Sequence, residues 1–246
     1  MSPDGAFAVL ALIVLFAFTV EAAAGFGSTV LALALGVHLY PIPRLLPLIV
    51  PLNLVLELYL VTRHGTHVDQ WLLWRQIVPL MGAGVAAGFA LFSVASTQVL
   101  QTVFGVFVVG VAVHGLTSAL LARTSSLRPL SPPAIGSGLL AAGVTHGLFA
   151  TGGPLLVYVL SRTPLDKREF RSTLAAVWLI FNLVLTVVYA VSGRIDGETV
   201  AALLLLLPVV CAGIVLGEWV HDRLDERRFR LSVLALLVVA GVSVVW

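Results

Sequence analysis

His146-Gly147-Leu148-Phe149-Ala150-Thr151-Gly152-Gly153-Pro154 lies between two apolar runs, 135–144 and 155–160. A helix in apolar surroundings does not carry three glycines and a proline within eight residues unless it breaks there. Broken backbone at membrane depth exposes N–H and C=O groups. These are tolerated only where protein buries them or a polar cavity meets them. Glu21-Ala22-Ala23-Ala24-Gly25-Phe26-Gly27-Ser28-Thr29 reads as a weaker copy of the same break. The rest of the chain is expected to hold the two breaks face to face around one pocket at the centre of the bilayer.

The surrounding composition is that of a membrane protein. Of 246 residues, 59% are hydrophobic and 11% charged, and the mean hydropathy is +1.07. A soluble domain is nearer a quarter charged. The single Cys211 excludes an intramolecular disulfide and a dithiol relay. No Lys or Arg precedes the first apolar run, 6–20, so it is read as a membrane segment rather than a cleaved leader.

Apolar runs fall at about 6–24, 27–38, 44–62, 72–94, 97–121, 134–149, 153–161, 171–191, 199–219 and 230–246. A membrane crossing needs about 20 apolar residues. The runs at 27–38 and 153–161 reach roughly 14–18 Å, about half the hydrocarbon thickness. Each follows a glycine-rich break, and each is read as a half-helix returning from the membrane middle. The sequence also repeats. Asn53, Pro79, Gly84 and Gly88 recur at one fixed offset as Asn182, Pro208, Gly213 and Gly217. Internal duplication of this kind points to a transporter with its site at the repeat interface. The expected fold class is an all-α polytopic membrane protein of 8–10 segments. It is organised as an inverted repeat of two five-segment halves, each with a broken or re-entrant helix pair. The first repeat takes 1–122, a cytoplasmic Ser/Pro-rich linker 123–133, and the second repeat 134–246.

If the segments alternate sides, all of the 14 basic residues except Arg44 and Arg194 fall on one side. The positive-inside rule makes that side cytoplasmic and places both termini outside. The first break then enters from outside and the second from inside. The mixed-charge run 222–230 is read as a solvated cytoplasmic loop.

A half-helix starting at Gly27-Ser28-Thr29, or at Gly152-Gly153-Pro154, points free N–H groups and partial positive charge at the membrane middle. Two such ends cage an anion without a buried Lys or Arg. Glycine lets the backbone approach a ligand, and Pro154 suits a first helical turn. Gly25, Gly27, Ser28, Thr29, Thr151, Gly152, Gly153, Pro154, Ser172 and Thr173 are therefore candidate binding residues, with Arg171 as the nearest cation. The competing reading of the small residues is close helix packing. Asn53 and Asn182, in apolar segments, need hydrogen-bond partners. They hold the breaks open, bind substrate, or join helices. Glu21 and His146, just ahead of the breaks, are candidates to carry a coupled proton; His146 is alternatively a neutral core residue. Glu57 and His114 are read as structural. The remaining histidines show no ligand spacing, so neither metal nor cofactor is expected, and no HExxH, Walker A, GxSxG or CxxC motif suggests an enzyme.

The arrangement resembles the TauE/SafE (TSUP) family of sulfite and organosulfur-anion exporters. The matching residues are Gly25-Phe26-Gly27-Ser28 with Pro41, Arg44 and Asn53. In the second half they are Thr151-Gly152-Gly153-Pro154, the basic turn 164–171 and Asn182. The first copy has a shorter glycine run than many relatives. The resemblance implies a plasma-membrane permease for small anions such as sulfite or sulfonates, driven by an ion gradient. The expected partners are thus a small anionic substrate and the lipid bilayer. Nucleic acid is not among them, and homo-oligomerisation stays open. The alternatives are a passive anion channel and a non-transporting membrane assembly factor.

Overall fold

A computed structural model describes residues 3–24, 27–64, 67–121, 130–221, 223 and 226–245. Its elements are α1 (Pro3–Ala24), α2 (Ser28–Gly36), α3 (Ile42–His64), α4 (Gln70–Leu72), α5 (Val78–Val94), α6 (Thr97–Leu121), α7 (Pro132–Phe149), α8 (Gly153–Leu160), α9 (Lys167–Val191), α10 (Gly197–His221) and α11 (Glu226–Val245). The fold is all-helical. Single turn α4 runs through a π-turn, Leu73–Ile77, into α5. Pro79 has no N–H for the carbonyl one turn earlier, and the widened turn accommodates its ring. Six spans among the described residues are long and apolar enough to cross a membrane.

The two short runs are short helices. α2 has 9 residues and α8 has 8, so each rises about 12–14 Å. The run 222–230 departs from its expected loop. Glu226 to Arg230 form the first turns of α11, because these residues are good helix formers contiguous with an apolar run. Of the expected linker 123–133, residues 123–129 lie outside the described residues, as does the candidate site residue Gly25, while Pro132 and Pro133 open α7.

The chain forms two compact units that cut across chain order. The first takes residues 1–52, 96–124 and 193–246. Within it α1 packs along α10, α6 along α11, and α2 against α1. A Cβ on Gly217 would fall 2.5 Å from the Thr19 carbonyl oxygen, and one on Gly213 3.1 Å from that of Leu15. Helix axes that close tolerate only small residues. Phe18, Leu31, Leu33, Leu46 and Phe104 fill the interior of this unit.

The second unit takes residues 53–95 and 125–192. Within it α5 packs along α7, and α7 against α8. A Cβ on Gly84 would collide with the Leu140 carbonyl oxygen, and one on Gly88 with that of Val144. Gly84 and Gly88 are the sequence mates of Gly213 and Gly217. Matched glycines thus perform matched packing, α5 on α7 in one unit and α10 on α1 in the other. Leu139, Phe149, Leu156 and Phe181 are buried here. Large apolar side chains stand outward along the long helices, among them Leu91, Leu183, Leu204 and Val215. Exposed Trp71, Trp74 and Trp219 lie near helix ends, as in the aromatic belts of membrane proteins.

Candidate functional site

The first break is closed by the chain itself. Gly27 precedes α2 with φ 114° and ψ 0°, a left-handed conformation that disfavours any side chain. The turn brings Glu21, seven residues upstream, back onto the start of α2. Its Oε2 accepts the Ser28 N–H at 2.6 Å. Glu21, Ser28 and Thr29 are all buried. A carboxylate therefore occupies the place where the helix end would draw an anion.

The second break has the same spacing, with His146 seven residues before Gly153. Its local cause is a left-handed Ala150 (φ 53°) that ends α7 and donates its N–H to the His146 carbonyl at 2.6 Å. Pro154 sits in the first turn of α8. Gly152 is required by packing. A Cβ there would collide with the Ala142 carbonyl oxygen and lie 3.0 Å from the His146 Cβ. Gly153 is roomier, its nearest neighbour being the Trp178 ring at 3.6 Å.

An imidazole stands here in place of the carboxylate. The His146 ring stacks on Trp178, with centroids 5.6 Å apart, and meets Phe181 edge-on. Trp178 and Asn182 are one turn apart on α9, hence on one face. The His146 and Asn182 side chains approach each other without reaching hydrogen-bond geometry. His146 is 1% exposed, Thr151 3% and Asn182 3%. Both ring nitrogens of His146, the Thr151 hydroxyl and the Asn182 Oδ1 lack a hydrogen-bond partner among the described residues. Buried polar atoms are ordinarily paired. Here several unpaired polar atoms flank one broken helix.

The other candidates divide. Asn182 donates its Nδ2–H to Glu57 Oε1. Glu57, expected to be structural, thus joins the candidate residues; its signal in the sequence is a carboxylate one turn after Asn53 in an apolar helix. Asn53 is buried on α3. Ser172 and Thr173 are buried on α9, and the Thr173 hydroxyl accepts the Asp69 N–H at 3.2 Å, tying α9 to the turn before α4. Arg171 is exposed. It lines a surface groove of about 260 Å³ with Leu160, Ser161, Thr163, Leu165, Asp166 and Phe170, apart from the buried polar group. Among the described residues no cluster of His, Cys, Asp or Glu could hold a metal.

Long apolar helices interrupted by short ones, with buried polar side chains at the interruptions, are the architecture of a multi-pass membrane transporter. The profile of the family described as "Sulfite exporter TauE/SafE" matches residues 10–244, and the chain belongs to that family. It is similar to "Probable inner membrane transporter protein TsaS" of Comamonas testosteroni, with 31% identity over 109 residues, 44% of this chain and 45% of that protein. It is also similar to "Probable sulfite/organosulfonate exporter TauE" of Cupriavidus necator, with 24% identity over 226 residues, 89% of this chain and 85% of that protein. No solved structure matches the chain.

Proposed function

We propose that this chain exports a small sulfur oxyanion, sulfite or an organosulfonate, across the plasma membrane by alternating access. The second break is its binding site. The observation that carries this reading is the convergence of His146, Thr151 and Asn182, each buried with a polar atom left unpaired, at the start of α8. A neutral imidazole N–H, a hydroxyl and an amide serve an oxyanion, and the start of α8 adds partial positive charge. The names of the relatives support a sulfite or sulfonate substrate. Gly153 and Pro154 shape the entry to α8, while Gly27, Ser28 and Thr29 form the related but self-capped first break. Both termini lie outside, following the distribution of basic residues, and the sequence repeat underlies an inverted pair of halves. Transport is coupled to an ion, and the combined gradients of anion and ion set the direction of net flux.

Purified protein in liposomes tests this. Radiolabelled sulfite and sulfonates should accumulate or exchange, with small carboxylates weaker. Gly152→Leu should abolish the flux. Failure of every sulfur oxyanion to move would remove the reading.

A further inference from the structure

Glu57 is buried, 2% exposed, in a helix that is otherwise apolar around it. Its Oε1 accepts the Asn182 Nδ2–H, and the Asn182 Oδ1 is left without a partner beside His146. An ionised carboxylate accepts only, so it holds the amide with its donors inward and its bare acceptor toward the site. A protonated Glu57 donates its O–H. The Asn182 amide then turns over, its Oδ1 takes that proton's hydrogen bond, and its Nδ2–H faces the site as a donor. One orientation repels an oxyanion and the other receives it.

We infer that Glu57 is the proton-coupling residue of this transporter, and that the Asn182 side chain relays its protonation to the anion site. The inference rests on the site reading above. Each oxyanion bound is accompanied by one proton taken up from water onto Glu57 and released when the anion leaves. Glu57 is a positioning group here, acting through Asn182 rather than by touching the anion.

Other charges around this pair are few. His146 is the titratable group of α7 and Tyr158 that of α8. On α9 Tyr189 is the one beyond the first turns (Lys167, Arg168, Glu169, Arg171). The α4–α5 span offers Arg75, and Arg44, Tyr59, Arg63 and His64 share α3 with Glu57. His146 is the competing proton carrier.

The test uses full-length protein in detergent and methanesulfonate, whose charge does not titrate in the working range. Wild-type protein in weak buffer should take up close to one proton per methanesulfonate bound. Its affinity should weaken about tenfold per pH unit once Glu57 ionises. Glu57→Gln keeps an amide donor for the Asn182 Oδ1. It should bind with a flat pH profile and take up no proton, whereas His146→Gln, which binds more weakly, should still take up close to one proton per anion bound when saturated with methanesulfonate. Proton uptake that survives Glu57→Gln and vanishes in His146→Gln overturns the assignment and moves the proton to the imidazole. Binding without proton uptake by the wild type also overturns it, while leaving the anion site standing. Absence of binding by methanesulfonate and sulfite alike removes the site reading and the inference together.

Discussion

Glu21 caps α2 at Ser28 across a gap of seven residues, a 2.6 Å bond between two buried groups. The usual N-cap acts over two or three residues; here the left-handed Gly27 folds the chain back to allow the longer reach. Glu21→Ala removes the carboxylate that accepts the buried Ser28 N–H. The expected cost is about 1–3 kcal/mol, read as a lower unfolding midpoint in detergent, with Glu21→Gln losing less. An unchanged midpoint for Glu21→Ala would mean that the cap carries no stability.

His146→Phe keeps the ring stacked on Trp178 and removes two unpaired nitrogens. Stability should hold or rise, by up to about 1–3 kcal/mol. Sulfonate flux should fall tenfold or more, since one hydrogen bond to an anion is worth about 1.5–3 kcal/mol. Stability and function thus move in opposite directions, as at sites built to bind rather than to fold. A variant that unfolds early but transports normally would make His146 a packing residue.

The glycines differ in what a side chain would meet there. Gly88→Ala and its mate Gly217→Ala should each cost about 1–3 kcal/mol through overpacking. Gly110 has nothing within 4 Å of its would-be Cβ, so Gly110→Ala, in mid-helix, should gain roughly 0.5–1 kcal/mol. Thermal melts of the three variants decide it, and equal shifts would refute the packing assignment.

Ala150 pays for the second break with a left-handed backbone. Ala150→Gly relieves strain of about 1–2 kcal/mol, less glycine's entropy of about 0.5–1. A net gain near 0.5–1 kcal/mol is expected in urea or thermal unfolding. A loss would show that the left-handed conformation is not strained here.

The start of α9 is a capping box. Asp166 accepts the Arg168 and Glu169 N–H groups, and Glu169 accepts the Asp166 N–H. The Glu169 backbone hydrogen bond is the leading cause that holds the Asp166 carboxyl below its ordinary range. A depressed carboxylate contributes order that is fully present above the unfolded-state range and lost as pH falls through the folded one. Protection factors at the Arg168 and Glu169 amides, referred to the intrinsic exchange rate at each pH, should therefore fall on acidification and be low at every pH in Asp166→Ala. Protection indifferent to both changes would remove the box from the account.

Much of this was readable in one dimension. Glycine, proline and half-length apolar runs give away α2 and α8, because a helix too short to cross a bilayer and flanked by breakers has few other uses. Glycines at a fixed offset announce matched helix contacts. What stayed hidden was three-dimensional pairing. Glu57 and Asn182 are 125 positions apart, and no local pattern links them. Arg171 reads as the nearest cation to the breaks, yet neighbours on a helix point about 100° apart, which leaves the arginine at the surface and Ser172 inside. The Glu21 cap escaped because its reach depends on a backbone reversal at Gly27. The repeat describes how the sequence is written, while the compact units describe which helices keep company.

That interleaving has a bearing on biogenesis. α1 is among the earliest segments to leave the ribosome, but α10, along which it packs, is among the last. Until then its face of Leu15, Phe18, Thr19 and Ala22 must be sheltered by lipid, the translocon or an insertase. A chain stopped before residue 197 would strand that face, making the protein's maturation a race between late synthesis and quality control.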